Sequence, residues 1–416
     1  MSRLKKALVI TDDYYGSLKY SLENQGVSIF IASRKNTQVE GIPVCVFSGD
    51  DLAEIVVALD AANFKPELIF ASAERYVRIK ALLCEYFSIP FLPSALASRV
   101  IDKNEMRKII AENEPNMTPA FSAVKSDVDI IDFIGSYGLP VMVKPTSLLK
   151  SLYVTKASTE EEAISAYHSI LSKSHSHNLS GRHDGQAVQA VIIEEFMVGK
   201  KYSIEGVVDH FGVGIFPHTV TDVYFGYDNN LMNDPACFAT IIPSSETVET
   251  QQALFSAVQH VITALNLRDC PIHAEMIMTR NGIKLIEIAA RIGGFREKLY
   301  DLSFGYSLIR ADFQMQLGKT ASSIKLKPIK TSYSAVIKVY SYKEGILEHL
   351  NNEDLVTKLQ SYYSHVRKSD DGNRVGPSKL GYTEILNVIL NHNNLDILNS
   401  DKEYILEFVT PVISTI

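Results

Sequence analysis

The run Cys270-Pro271-Ile272-His273-Ala274-Glu275-Met276-Ile277-Met278 is followed by Thr279-Arg280-Asn281-Gly282 and then by Ile283-Lys284-Leu285-Ile286-Glu287-Ile288-Ala289-Ala290-Arg291-Ile292-Gly293-Gly294-Phe295. Two apolar, β-rich runs joined at Asn-Gly spell a hairpin, and its register depends on the length of the loop. A two-residue Asn281-Gly282 loop pairs Glu275 with Ile288 and sends Glu287 to the other face. A three-residue Arg280-Asn281-Gly282 loop, with Gly282 left-handed, sets Glu275 directly opposite Glu287. The second register has chemical content, because facing carboxylates repel each other unless a cation neutralises them. Oxygen ligands of this kind suit Mg²⁺, which keeps waters and is shared with nucleotide phosphates.

Taken singly, each glutamate reads as a half-exposed strand residue. With Arg291 and Gly293-Gly294 just beyond, the layout becomes that of a phosphoryl or acyl-phosphate site: a permanently charged guanidinium and glycine backbone beside two metal-type carboxylates. Lys144 ends the strand Val141-Met142-Val143-Lys144 before Pro145, sharing a face with Met142, so its ammonium aims at a cleft or at water. Lys103 stands at the start of a helix that Asp102 can cap, with Glu105 three residues on. Val191-Ile192-Ile193-Glu194-Glu195-Phe196-Met197-Val198-Gly199 reads as a strand entering a short linker, whose backbone can offer the donor and acceptor that an adenine edge requires.

Upstream, short apolar runs (Ala7 to Ile10, Val27 to Ala32, Glu67 to Ala71, Ile89 to Leu92) alternate with helical patterns (Ser17 to Asn24, Glu74 to Phe87), which predicts βαβ units and a parallel sheet. No GxGxxG follows Gly16, which excludes the dinucleotide fingerprint. Further helices are expected at Asp127 to Tyr137, at Ser158 to Leu171 with Thr159 capping, and from about Thr247 to Leu265; further strands are expected at Tyr202 to Val208 and Phe211 to Phe216. The tract Ser172 to Gln186, with His175, His177 and His183, reads as a solvated loop.

The chain has 416 residues and a formal charge of −7, which leaves no basic field for a nucleic acid or an anionic bilayer. With 46% hydrophobic and 21% charged residues it reads as globular, and no apolar run suits a signal peptide or a membrane span. Cys45, Cys84, Cys237 and Cys270 form no CxxC pair, so reduced core cysteines and a cytoplasmic location are expected.

The ordered set Asp102-Lys103, Val143-Lys144-Pro145, Glu194 to Gly199, Glu275, Glu287, Arg291 and Gly293-Gly294 resembles the ATP-grasp superfamily over roughly residues 1 to 310. The resemblance implies an α/β and α+β architecture. A parallel-sheet α/β domain (1–95) would precede two α+β subdomains clamping ATP, a lid (96–187) and a second subdomain with the metal–nucleotide site (188–310), before a C-terminal α+β region (311–416). It implies ATP with Mg²⁺ (or Mn²⁺) as cofactors, Lys103 and Lys144 on the phosphates, Glu194, Glu195, Phe196 and Met197 along the adenine, and Glu275 and Glu287 on the metal. Arg291, with Gly293 and Gly294, would hold the acyl phosphate or a substrate carboxylate; Glu205 and His218 are the candidates for a base. The partners are then a small carboxylate and an amine, with a homodimer as the family's expectation. Three departures stand out: Ala289 where many members have a metal-binding Asn, a loop Thr146 to Tyr153 without glycines, and Lys200-Lys201 where a ribose-binding acid is usual. The Glu287-Ile288-Ala289-Ala290-Arg291 variant resembles the bacilysin-type L-amino-acid ligases. A ligase or carboxylase with another acceptor, and a nucleotide-binding regulator without turnover, remain alternatives.

Overall fold

The computed structural model describes residues 4–13, 16–49, 51–146, 152–174, 190–217, 219–228, 234–324 and 329–415. The first strands, β1 (Lys5–Ile10), β2 (Val27–Ser33), β3 (Val44–Val46) and β4 (Leu68–Ala71), form a parallel sheet in the order β3-β2-β1-β4. Ala7, Leu8, Val9 and Ile10 are all fully buried, as expected of a central parallel strand covered on both faces. One face packs against Ile309 and Phe313 of a helix far along the chain, Leu308–Gln316. β3 and the helix Ala53–Ala61 were not apparent from the sequence. The expected strand at Ile89 to Leu92 is absent: Pro90 and Pro93 remove the ladder donors, and the segment inserts Ile89, Phe91 and Leu92 into the core as irregular chain.

A four-stranded antiparallel sheet follows, built from β5 (Phe121–Val124), β6 (Val141–Pro145), β7 (Thr155–Ala157) and β8 (Val191–Glu195) in the order β5-β8-β6-β7. The helices Asp127–Tyr137 and Glu160–Ser174 cover one face around Val141, Val143 and Ile193. The Ser126–Asp129 capping box starts the first helix, and the Thr159 hydroxyl accepts from the Glu162 N–H at 3.2 Å in the second.

The largest sheet has nine strands. β9 (Lys200–Val208), β10 (Gly214–Ile215), β11 (Thr221–Phe225), β12 (Cys237–Ile242), β13 (Cys270–Thr279), β14 (Gly282–Ala289) and β15 (Tyr333–Val339) are joined by β17 (Tyr362–Arg367) and β19 (Leu386–His392). The order is β14-β13-β9-β11-β12-β15-β19-β17, with β10 paired to β9, so the sheet runs without a break into the C-terminal hundred residues. β16 (Gly345–Leu350), β18 (Arg374–Val375) and β20 (Pro411–Ser414) make a small separate sheet. The strand expected over Phe211 to Phe216 shrinks to β10, because Asp209 Oδ1 accepts from both the Phe211 and Val213 N–H groups and folds that stretch into a turn. His175, His177, His183 and His218 lie outside the described residues.

Candidate active site

β13 and β14 place Glu275 directly opposite Glu287, but not through the loop that the sequence suggested. Thr279 pairs with Gly282, so the turn holds only Arg280 and Asn281; the Thr279 hydroxyl tightens it by accepting from the Asn281 N–H at 3.1 Å and donating to the Gly282 carbonyl at 2.9 Å. Met276 then faces Leu285, and Glu275 faces Glu287, which leaves Ile286 as the extra residue of a β-bulge. The bulge, rather than a longer loop, brings the carboxylates to the same face.

Two buried or half-buried lysines stand at this site, one beside Glu287 and one beside Glu194. Lys103 opens the helix Lys103–Asn113, whose first turn is capped by Asp102 Oδ1 accepting from the Asn104 and Glu105 N–H groups. Its ammonium is 3.9 Å from Glu287 Oε2, and its own N–H donates to the Thr146 carbonyl at 3.0 Å, tying the helix start to the end of β6. Lys144 on β6 is only 8% exposed, so it is neither a surface residue nor open to water. Lys144 pairs with Ile192 and Met142 with Glu194, so Lys144 and Glu194 are diagonal neighbours on one face, with Nζ 2.6 Å from Glu194 Oε2. Burial lowers the Lys144 pKa, Arg107 and Lys103 lower it further, and Glu194 acts in the other direction. For Glu194, burial would raise the pKa, but Arg107 and Lys144 outweigh it and draw it down to about 2. Glu194 therefore turns its carboxylate to these two cations rather than along an adenine edge. Glu195, Phe196 and Met197 are half-buried at the exit of β8, with the Lys156 ammonium 4.3 Å from the centre of the Phe196 ring. Gly199 is obligatory: a Cβ there would fall 2.0 Å from the Met278 carbonyl oxygen.

Beyond the hairpin, the Arg291 Nη2 donates to Glu74 Oε2 at 2.9 Å, linking the site to the segment after β4. Gly293 is built into a buried network. Its N–H donates to Glu205 Oε2 at 2.9 Å, and a Cβ on it would lie 2.5 Å from His273 Nδ1. Gly294 is exposed, and its carbonyl accepts from Arg296 Nη1 at 3.3 Å. The other Glu205 oxygen is 2.5 Å from His273 Nδ1 and 3.4 Å from Arg296 Nε, and His273 Nε2 is 3.4 Å from Glu275 Oε1. Burial alone would raise Glu205, but His273, Arg296 and the Gly293 N–H hold it below the ordinary carboxyl range. Burial likewise opposes charge on His273, yet Glu205 pushes its pKa up to about 9. A carboxylate this committed is an anchor for Gly293 rather than a proton acceptor.

The donor set fits a nucleotide with a divalent cation. Arg291 Nε and Thr146 Oγ1 are buried without a hydrogen-bond partner. Among the described residues no group of three or more His, Cys, Asp or Glu could hold a metal by itself. Two carboxylates with the remaining positions left to phosphate and water is the arrangement Mg²⁺ favours. Ala289 is buried opposite His273, and Lys200 is 2.6 Å from Glu246 Oε1, so neither departure adds a ligand. The sequence reading missed Arg107, Glu74, His273 and Arg296. Only Arg107 carried a signal: it stands four residues after Lys103 on the buried stripe of Met106 and Ile110.

Residues 137–298 match the family model of the ATP-grasp domain. The fold is shared along the whole chain with the crystal structure of an L-amino acid ligase from Bacillus licheniformis, at a TM-score of 0.80 and 16% identity with 100% of each chain covered. Among curated proteins, a phosphoribosylamine–glycine ligase of Streptococcus pneumoniae is 25% identical over 209 residues, 49% of this chain and 48% of the relative. The alanine–anticapsin ligase of Bacillus subtilis is 25% identical over 267 residues, 59% of this chain and 52% of the relative. The chain thus spans about half the length of the curated relatives it matches. Among the described residues, no helix is long and apolar enough to cross a membrane.

Proposed function

We propose that the protein is an ATP-dependent carboxylate–amine ligase that works through an acyl phosphate, joining amino acids as the L-amino acid ligases named above do. The observation that carries this reading is the facing Glu275–Glu287 pair with Lys103 beside Glu287 and Arg291 beyond it, and with Lys144 held against Glu194. Glu275 and Glu287 would hold Mg²⁺, with Mn²⁺ as the alternative ion, and the metal supplies charge neutralisation on the phosphates. Lys103 and Lys144 bind the phosphate oxygens, and Phe196 and Met197 line the adenine. The γ-phosphoryl group passes to a substrate carboxylate oxygen as the bond to ADP breaks; the amine nitrogen then attacks the carbonyl carbon, releasing phosphate and a proton. Arg291 grips the planar oxygen anions by a fork that lysine cannot reproduce. Gly293 lets the chain approach closely while Glu205 fixes its N–H. A cytoplasmic setting suits the four free cysteines.

The test is a screen of amino-acid pairs for release of ADP and phosphate, with hydroxylamine added to trap a hydroxamate from the activated acid. Arg291→Lys is expected to lower turnover on the order of 100-fold or more while changing ATP affinity far less, because the lost fork matters at the intermediate. Formation of AMP and pyrophosphate rejects the acyl-phosphate route. Binding of Mg·ATP with no turnover for any acid favours the regulator reading.

A further inference from the structure

Arg107 has the largest side chain among the fully buried residues that the structure describes. From the helix Lys103–Asn113 it reaches two other elements. Its Nε and Nη2 donate to the two Glu194 oxygens at 2.8 and 3.4 Å, on β8 of the four-stranded antiparallel sheet. Its Nη1 donates to the Leu285 carbonyl at 2.8 Å and its Nη2 to the Ile286 carbonyl at 2.8 Å, on β14 of the large sheet. Ile286 is the extra residue of the bulge, and Leu285, paired with Met276, is the last residue before it. Where a bulge interrupts the ladder, a backbone carbonyl left unpaired away from water is costly, so a donor supplied to the Leu285 and Ile286 carbonyls counts. One guanidinium satisfies both and spends its remaining donors on the carboxylate that pairs Lys144.

We propose that Arg107 is the positioning residue of the metal–nucleotide site, fixing the metal carboxylates through the bulge and the phosphate lysine through Glu194. This rests on the ATP-ligase reading above for its consequence, though not for its geometry. Without the bulge, the register from Thr279–Gly282 to Met276–Leu285 would continue to pair Glu275 with Ile286, and Glu287 would turn to the opposite face. A lysine at position 107 keeps the charge for Glu194 but, as a single point donor, cannot span two carbonyls and a carboxylate.

The two arms can be separated by experiment. Arg107→Lys is expected to raise the Mg²⁺ concentration needed for half-maximal ATP binding about 10-fold or more, read by calorimetric titration of ATP at stepped Mg²⁺. ATP affinity without metal should change far less. Glu194→Gln should do the reverse, weakening ATP binding with little change in its Mg²⁺ dependence. Deleting Ile286 removes the extra residue while leaving Glu287 next in line opposite Glu275, so adding that deletion to Arg107→Lys should restore the Mg²⁺ dependence. A purely structural arginine predicts no such rescue. A folded Arg107→Lys protein with wild-type Mg²⁺ dependence overturns the proposal. So does a crystal structure of that variant in which Glu275 still faces Glu287 and the bulge carbonyls stay in place. If the wild-type protein binds no ATP, the ligase reading fails, and the crystal structure of the variant still decides the role of Arg107. Should Arg107→Lys not fold, failure of the Ile286 deletion to restore folding overturns the proposal in the same way.

Discussion

Two of the buried charge clusters among the described residues differ in what they leave over. At the base of the N-terminal sheet, Lys80 Nζ is 3.0 Å from Asp312 Oδ2 with both side chains at most 2% exposed. The other Asp312 oxygen accepts from Gln316 Nε2, and the Gln316 amide also accepts from the Ile69 N–H and donates to the Ile69 carbonyl, like a strand laid along the edge of β4. One cation meets one anion, and no polar atom of these side chains is left unpartnered. At the candidate active site, Lys103, Lys144 and Arg107 share Glu194 and Glu287, and unpartnered Thr146 Oγ1 and Arg291 Nε stand beside them. A cluster closed on itself holds a fold together; one with open donors is built for an anion.

The sharpest way to break this contrast is a crossed pair of substitutions. Asp312→Ala strands the Lys80 ammonium in the interior and should cost about 3–5 kcal/mol of stability, with ATP affinity unchanged below the unfolding transition. Lys144→Met should lower turnover by about 10²–10³ while leaving most of the stability intact. Urea denaturation and an ADP-release assay on both variants check this. A Lys144→Met protein that keeps full turnover, or an Asp312→Ala protein that loses ATP binding while folded, dissolves the distinction.

The next effect is a pH window. Glu194 is held at a pKa of about 2 against an ordinary value of 4.5. Its folded value lies below its unfolded one, so its contribution is fully present above pH 4.5, weakens as pH falls below that, and is gone once pH passes through about 2. The gap in urea midpoint between wild type and Glu194→Gln should therefore stay constant from pH 7 to 5 and narrow below 4.5. A gap that already closes between pH 7 and 5.5 means that Arg107 and Lys144 do not hold this carboxylate ionised.

How far the site could be read from the sequence follows the same division. The parallel sheet was legible because each βαβ unit is local, and Glu275 and Glu287 were legible because Asn281-Gly282 marks a turn between them. The pairing was foreseen by the wrong route: periodicity carries no sign of a bulge whose cause is an arginine 179 positions away. The partners of the Glu194 carboxylate were not legible for the same reason, since they come from the Lys103–Asn113 helix and β6. The nine-strand order, which joins β12 to β15 across three helices and the β13–β14 hairpin, depends on contacts that no local pattern encodes.

The smallest expected effect tests whether distance or burial sets these energies. Lys5 Nζ lies 2.6 Å from Glu67 Oε1, the same separation as Lys144 from Glu194, but the side chains are 50% and 31% exposed instead of 10% and 3%. Water screens the exposed pair in both the folded and unfolded states, so little free energy changes on folding. Glu67→Gln should therefore cost less than about 1 kcal/mol, and high salt should erase most of the difference. The Lys6 N–H, 3.2 Å from Glu67 Oε2, can keep its acceptor in the glutamine variant, which leaves the charge as the main thing removed. Equal denaturation midpoints for wild type and Glu67→Gln at high salt, with a small gap at low salt, would place the strength of the active-site cluster in its burial. A cost of several kcal/mol at the exposed pair would mean that separation alone governs, and the contrast between the two buried clusters would then have to rest on the unpartnered atoms beside one of them.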